Sequence, residues 1–333
     1  MSFSDDPGQT LVPALPQGDW LAPAEGHRVW WCEGGDPQGL PVLIVHGGPG
    51  GASRLEPTQW FDGLPVRWIA IDQRGCGRSL PLGETAHNDL GTLLDDMERL
   101  RAGLGLPCWA LAGGSWGARV ALTYALRQPQ RVRGLLLRSP FLATAAETRR
   151  YVAAWPRWLG AAGRRWLGPA AADAFFALYQ SEPALLHDGS VFTLDRLGAD
   201  EHVARVWSAY DAAQSVPGGV LASQAGFDPA ALPESTPRLL ASWRIHAHYA
   251  AAGWGAVGGQ APAGMPALHA GSAVSVVWGA ADATCDPAVA RVIAASLPGA
   301  RAQEVLGAGH RMSDPLLAPA LRAAAREWVA RLA

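Results

Sequence analysis

Five residues, Gly113-Gly114-Ser115-Trp116-Gly117, constrain this chain more than any other feature. They match the pattern G-x-S-x-G. Just upstream, Cys108–Ala112 is a short apolar run that reads as a strand. Downstream, Gly117–Arg127 carries apolar residues at helical spacing. A strand that passes straight into a helix must turn sharply, and side chains at the flanking positions would collide there. Glycines relieve that crowding, and the turn lifts the serine Oγ to the edge of the sheet.

The neighbouring segments supply the sheet such a turn needs. Pro41–His46 is a continuous apolar run ending in Gly-Gly-Pro-Gly, Val66–Asp72 repeats it, and Val132–Arg138 is a further strand. Runs without a polar face suit strands covered on both sides. Asn88–Leu104 has helical spacing, with acids early (Asp89, Asp95, Asp96) and arginines late (Arg99, Arg101), an order that favours the helix dipole. Strand and helix in alternation predict a parallel sheet wrapped in helices. Ahead of it, residues 1–18 read as a loose leader, and Trp20–Leu21 with His27–Cys32 as a hairpin turning near Glu25-Gly26. From Phe141 to Gly264 strand signals vanish, and helical stretches rich in Ala, Arg and Trp take over. Strands return at Ala273–Trp278 and Ala302–Leu306, followed by a helix from Leu316. The expected organisation is therefore a sheet domain over 1–140 and 265–333, with a mostly helical cap over 141–264.

Composition narrows the chemistry. The net charge is −2 and the pI about 6.5, so no basic field exists to hold nucleic acid or an anionic membrane. All 27 basic residues are arginine, which excludes lysine nucleophiles and Schiff bases. Cys32, Cys76, Cys108 and Cys285 stand alone, as in a reduced cytosolic protein. The first residues are acidic where a signal peptide is basic, and no run of about 18 apolar residues occurs. The expectation is a cytoplasmic protein acting on a small molecule or short peptide, without cofactor or metal. His246-x-His248 offers only two ligands, too few for a zinc site.

A serine needs a base to take its proton, and the base needs a carboxylate to hold its tautomer. In the strand–turn–helix setting the acid and then the histidine follow the serine along the chain. Asp282 follows the strand Ser275-Val-Val-Trp-Gly279, and His310 follows the next one, in Gly307-Ala-Gly-His310. Asp286 is the nearest rival acid. His269 is a rival histidine that precedes its strand. The oxyanion of an acyl-transfer intermediate needs two N–H donors. Trp116 should supply one, and the loop His46-Gly47-Gly48-Pro49-Gly50 the other, Gly48 first and Gly47 second. Asp72-Gln73-Arg74 reads as a structural network beside that loop. Cys76 lies in the same region, where a catalytic thiol would be redundant. Most tryptophans of the cap (Trp155, Trp158, Trp166, Trp207, Trp243, Trp254) read as packing residues, some of them lining an apolar pocket.

Several segments together carry a specific resemblance. They are HGGPGG at 46–51, FDGLPVRWIAIDQRGCGRS at 61–79, NDLGTLLDDMERLRAGLGL at 88–106, WALAGGSWGARVALTYALRQPQRV at 109–132 and LLLRSPF at 135–141. The chain resembles the proline iminopeptidase family within the α/β-hydrolase fold. That resemblance implies a mostly parallel central sheet flanked by helices, with a helical cap inserted before the last strands. It also implies a metal-free serine peptidase with Ser115, Asp282 and His310 as triad, releasing an N-terminal residue, usually proline. Such enzymes hold the substrate amine with cap carboxylates in W-x-x-W-E and R-I-E-N-H-Y segments. Here these read Trp207-Ser-Ala-Tyr210-Asp211 and Arg244-Ile-His246-Ala-His248-Tyr249. Asp211 keeps one carboxylate on a shorter arm, and His246 replaces the other. Trp207, Tyr210, Asp211 and His246 are thus the substrate-binding candidates. The acid loop G-R-Y-D becomes Gly279-Ala-Ala-Asp282, with Cys285 kept in register, and Arg311 stands where a serine usually follows the histidine. Two readings stay open beside the peptidase: an esterase, amidase or acyl-transferring cyclase with the same machinery, and a ligand-binding protein without turnover. Haloalkane dehalogenase and epoxide hydrolase chemistry needs an aspartate where Ser115 stands.

Overall fold

Strands that are apolar at every position have no face to give to water, so they stack inside a parallel sheet. The computed structural model describes residues 15–180, 194–254, 272–297 and 299–333. In it, Leu40–Val45 (β3), Val66–Ile71 (β4), Trp109–Gly114 (β5), Val132–Arg138 (β6) and Ala273–Gly279 (β7) form that interior. Arg301–Val305 (β8) closes one edge with a more exposed strand. The other edge carries Asp19–Trp20 (β1) and Trp30–Gly35 (β2). The eight strands run in the order β1-β2-β4-β3-β5-β6-β7-β8. The β1/β2 and β2/β4 pairs are antiparallel, and all the others are parallel.

The hairpin differs from its sequence reading. Its second strand starts at Trp30 and runs on to Gly35, and His27 makes only an isolated bridge to Ala24. Glu33-Gly34-Gly35 lies beyond the expected strand, yet it pairs with Arg67–Ile69 of β4, which supplies the partner that Gly-rich backbone lacks by itself. Likewise β5 extends past Ala112, because Gly113 and Gly114 pair with Leu137 and Arg138 of β6.

Side chains alternate across the sheet with period two. Leu43, Ile69, Leu111, Leu135 and Val276 point to one face, covered by Leu90–Gly103 (α1), Trp116–Arg127 (α2) and, over Val276, the helix Pro287–Ser296. Val42, Ile44, Ala110, Leu136 and Val277 point to the other, covered by Leu317–Ala330, whose buried Trp328 donates its indole N–H to the Ala273 carbonyl at 3.0 Å. Helix α1 starts where a reciprocal cap forms: Asp89 accepts from the Thr92 amide at 2.9 Å, and Thr92 Oγ1 accepts from the Asp89 amide at 3.1 Å. Such a cap contributes about 1 kcal/mol.

Between β6 and β7 the described chain is helical: Ala145–Val152 (α3), Trp155–Leu167 (α4), Pro169–Gln180 (α5), Leu194–Ala199 (α6), Glu201–Gln214 (α7), Gly219–Ser223 (α8) and Pro237–Ala251 (α9). Aromatic contacts bind these helices together. Trp155 stacks on Phe175 at 4.0 Å, and Phe175 stacks on Trp243 at 5.8 Å. Trp155, Trp158 and Trp243 are packing residues, as the sequence suggested. Helix α9 touches the sheet's carboxyl edge through Tyr249, whose hydroxyl donates to Asn88 Oδ1 at 3.0 Å, and His248, whose Nε2 donates to the Asn88 carbonyl at 2.7 Å. The expected end of the cap at Gly264 and the rival His269 both lie outside the described residues. Among the described residues no helix is long and apolar enough to cross a membrane.

Candidate active site

Ser115 sits at the hinge between β5 and α2 with φ 56° and ψ −125°, a conformation that strains an L-residue. Two glycines make that turn fit. A Cβ on Gly113 would lie 2.5 Å from the Gly117 carbonyl oxygen, and one on Gly117 would lie 2.2 Å from that of Val45. The Ser115 amide donates to the Arg138 carbonyl at 2.9 Å, fastening the turn to β6. Helix α2 begins at Trp116, so its first amides have no intrahelical acceptor.

Asp282 and His310 come together from the ends of β7 and β8. His310 Nδ1 donates to Asp282 Oδ2 at 2.7 Å. The other carboxylate oxygen, Oδ1, accepts from the amides of Thr284 and Cys285, each at 2.9 Å. Burial opposes ionisation of Asp282, which is 1% exposed, but the adjacent His310 and these donors outweigh it and hold the carboxyl below its usual range. The backbone of His310 is anchored on both sides: its amide donates to the Ser215 carbonyl at 3.1 Å, and its carbonyl accepts from Arg138 Nη1 at 2.6 Å. The rival Asp286 is engaged elsewhere, capping the helix Pro287–Ser296 by accepting from the Ala288 amide at 2.9 Å. Ser115 and His310 line one cavity of about 620 Å³. Ser115 Oγ lies 3.5 Å from Cys285 Sγ, a neighbour that sequence reasoning missed. Burial raises the Cys285 thiol well above its usual range, so it is protonated.

The loop after β3 lies against the serine. A Cβ on Gly47 would be 3.2 Å from the Gly114 carbonyl and 3.6 Å from Ser115 Cβ, and Gly48 follows with φ 129°. Gln73 ties this loop to α2. Its Nε2 donates to the His46 carbonyl at 2.8 Å, its Oε1 accepts from the Trp116 indole at 2.9 Å, and its amide donates to His46 Nε2 at 3.0 Å. Burial lowers the His46 pKa, consistent with a neutral ring accepting at Nε2 and donating from Nδ1 to the Gly47 carbonyl at 2.8 Å. Asp72 accepts from the Ser53 amide at 2.6 Å and from Arg78 at 2.8 Å. Arg74 grips both oxygens of Asp96, at 2.6 and 3.0 Å, and reaches Glu25 and the His87 carbonyl at 2.6 Å. Arg74→Ala should cost about 3 kcal/mol in chemical denaturation, because it strands a buried carboxylate. Arg99, 2.9 Å from Asp96, keeps the loss at the low end of such values. A loss below about 1 kcal/mol would show the Arg74–Asp96 pair to be dispensable.

The helices between β6 and β7 build the rest of the cavity wall. Trp207, Asp211 and His246 line it, as do Phe141, Tyr151, Tyr179 and Trp254. Asp211 Oδ1 accepts from the Tyr151 hydroxyl at 3.0 Å, and burial raises the carboxyl's pKa against the pull of His310 and Tyr151. His246 is enclosed by the rings of Trp207 at 4.6 Å, Trp254 at 5.2 Å, Tyr179 at 5.8 Å and Trp243 at 5.9 Å. Burial pulls its pKa down to about 3, so the ring is neutral. Tyr210 is placed differently from the substrate-binding role expected of it. It is fully buried behind the wall, where its hydroxyl donates to the Tyr151 carbonyl and its ring packs on Trp155 at 5.2 Å. Arg311 also lines the cavity and donates to the Ala212 carbonyl at 2.8 Å. Among the described residues no group of three or more His, Cys, Asp or Glu is placed to hold a metal ion.

A strained serine hinge at the carboxyl edge of such a sheet, sharing a cavity with a histidine that is hydrogen-bonded to a buried aspartate, defines a class. The chain belongs to the α/β hydrolase fold family, whose model matches residues 41–314. Curated relatives that it matches include proline iminopeptidases. That of Neisseria gonorrhoeae is 41% identical over 144 residues, 43% of this chain and 44% of the relative. That of Xylella fastidiosa (strain Temecula1) is 33% identical over 214 residues, 62% of this chain and 65% of the relative. The matched stretches thus span less than two thirds of either relative's length. Among solved structures, a proline iminopeptidase-related protein from Thermus thermophilus superposes with a TM-score of 0.55 at 22% identity. The match covers 95% of this chain and 98% of that one, a likeness of fold.

Proposed function

We propose that this hydrolase works through an acyl-enzyme on Ser115, and that it releases a proline-like N-terminal residue from small peptides or amides. The observation that carries the reading is the 2.7 Å bond between His310 and Asp282 at the wall of the cavity that Ser115 lines. His310 takes the serine proton through Nε2 while Asp282 holds Nδ1–H. The serine attacks the substrate carbonyl. The resulting oxyanion is received by the amides of Trp116 and of Gly48 or Gly47. His310 then protonates the leaving group, and water completes the cycle. No cofactor enters these steps. The helices within 141–264 serve as a cap over the acyl pocket, and Asp211 faces the substrate amine from them. The relatives named above favour the peptidase form. The unpaired cysteines favour a cytoplasmic setting.

One observation favours a second reading, an esterase or amidase that ignores the amine. His246 is neutral where the resemblance calls for a carboxylate. A side-by-side comparison of a free proline arylamide, its N-acetyl form and a short p-nitrophenyl ester separates the two. The peptidase reading expects the free proline compound to be cleaved at least about tenfold faster than the acetylated one, the worth of one charge-assisted contact. Equal rates on both, with faster ester cleavage, would transfer the assignment to the second reading.

A further inference from the structure

The cavity that Ser115 lines has two unlike sides. Tyr151, Tyr179, Trp207, His246 and Trp254, all from the segment between β6 and β7, line it as buried residues. Gly48, Arg54, Ala212, Arg311 and Ser313 line it as exposed residues, so the cavity opens to water on their side. Two of these carry charge. Arg54 comes shortly after the glycine loop, and its side chain makes no hydrogen bond or ion pair among the described residues. Arg311 directly follows His310 and gives one N–H of its guanidinium fork to the Ala212 carbonyl, in the last turn of α7. Both charges are felt at the site. Burial dominates the pKa values of His46 and Asp211, but Arg54 pulls the first down and Arg311 the second. Two carboxylates, Glu56 and Asp211, line the same cavity, and neither forms an ion pair with an arginine among the described residues. A third arginine in the lining, Arg138, is buried and committed to the His310 carbonyl.

We propose that Arg54 and Arg311 receive a carboxylate on the departing half of the substrate, as at the C-terminus of an unblocked dipeptide. The inference rests on the reading of Ser115 as nucleophile. In that chemistry His310 hands its proton to the leaving group, which must then pass to water. The exposed side of the cavity, where the two arginines stand, is its way out, while the acyl part occupies the buried aromatic side. A guanidinium offers a carboxylate parallel N–H donors, and a cation in a cavity wall is screened less than one on an open surface. Asp211 and the arginines thus read opposite ends of a zwitterion, the amine and the carboxylate. The carboxylate site holds whether or not Asp211 takes an amine.

The test uses two leaving groups of one shape, meta-hydroxybenzoate and meta-hydroxybenzamide, each as its prolyl and its butyryl ester. A fluorophosphonate probe read out on Ser115 is run alongside. At low salt the wild-type chain should favour the carboxylate over the carboxamide by about fivefold or more in kcat/KM, after correction for the uncatalysed rates. High salt should shrink that ratio. Arg54→Gln and Arg311→Ser should each lower it, and together bring it to within about twofold of one. Arg157→Gln, on the exposed surface and outside the cavity lining, controls for the overall field of the chain and should leave the ratio in place. Probe labelling of Ser115 with equal kcat/KM for both leaving groups in the wild type would overturn the carboxylate site while leaving the nucleophile in place. Persistence of the preference in the double variant, or an equal loss in Arg157→Gln, would overturn it too. No labelling and no ester turnover in the wild type would remove the nucleophile reading, and the carboxylate site with it.

Discussion

Ser115→Ala is expected to lower turnover of any active substrate by about four to six orders of magnitude and to leave the fold unchanged. The reason lies in what the side chain does and does not touch. Its Oγ makes one weak contact, 3.5 Å to the Cys285 thiol, so its loss removes no structural bond. The strained backbone at φ 56° is held by the Arg138 carbonyl and by the fit of Gly113 to Gly117, none of which involves the hydroxyl. Alanine is small enough to keep that conformation. The experiment pairs turnover with thermal unfolding. An intact Tm with activity within tenfold of wild type would mean that another group performs the attack. Cys285, whose Sγ lies 3.5 Å from Ser115 Oγ, is a poor substitute, because its buried thiol holds its proton far above neutral pH.

Asp282→Asn should cost about 10⁴ in kcat. Oδ1 of Asp282 is committed to the Thr284 and Cys285 amides, which need an oxygen opposite them. An asparagine must therefore turn its amide nitrogen toward His310. A donor facing Nδ1 forces the imidazole proton onto Nε2, the atom meant to take the serine proton. The geometry survives while the tautomer is wrong. The rate of fluorophosphonate labelling of Ser115 should fall in parallel with turnover. A loss of less than about tenfold would remove Asp282 from its orienting role.

The inner strands were legible because burial on both faces leaves a continuous apolar run, and no other element of that length does so. The edge positions of Ser115 and Asp282 were legible for a related reason: each follows such a run, and parallel strands bring their carboxyl ends to one edge, where His310 arrives from the more exposed edge strand β8. The cavity wall was harder to read. Trp207 and Asp211 are four apart on α7 and stand one above the other, so both reach the cavity. Tyr210 is turned by about 100° from Asp211 on the same helix and enters the core instead. Helical spacing shows which residues are turned inward, but it does not distinguish a packed interior from the lining of a void. Tyr151 and Tyr179 were missed on that account. The Cys285 contact was missed because it depends on the path of a turn, which no periodicity encodes. The Glu33–Gly35 end of β2 was missed because its stability comes from β4, far along the chain.

The Gln73 amide has two unlike ends, and both are in use. One gives a hydrogen to the His46 carbonyl and the other accepts one from the Trp116 indole. That makes the side chain a spacer of fixed length and fixed polarity between the glycine loop and the first turn of α2. Glutamate would have the length but only acceptors, and would set a carboxylate against the His46 carbonyl. Leucine would have the bulk and neither end. The distance between two backbone segments that never pair with each other is thus recorded in a single planar group, and the two cannot drift apart without breaking it.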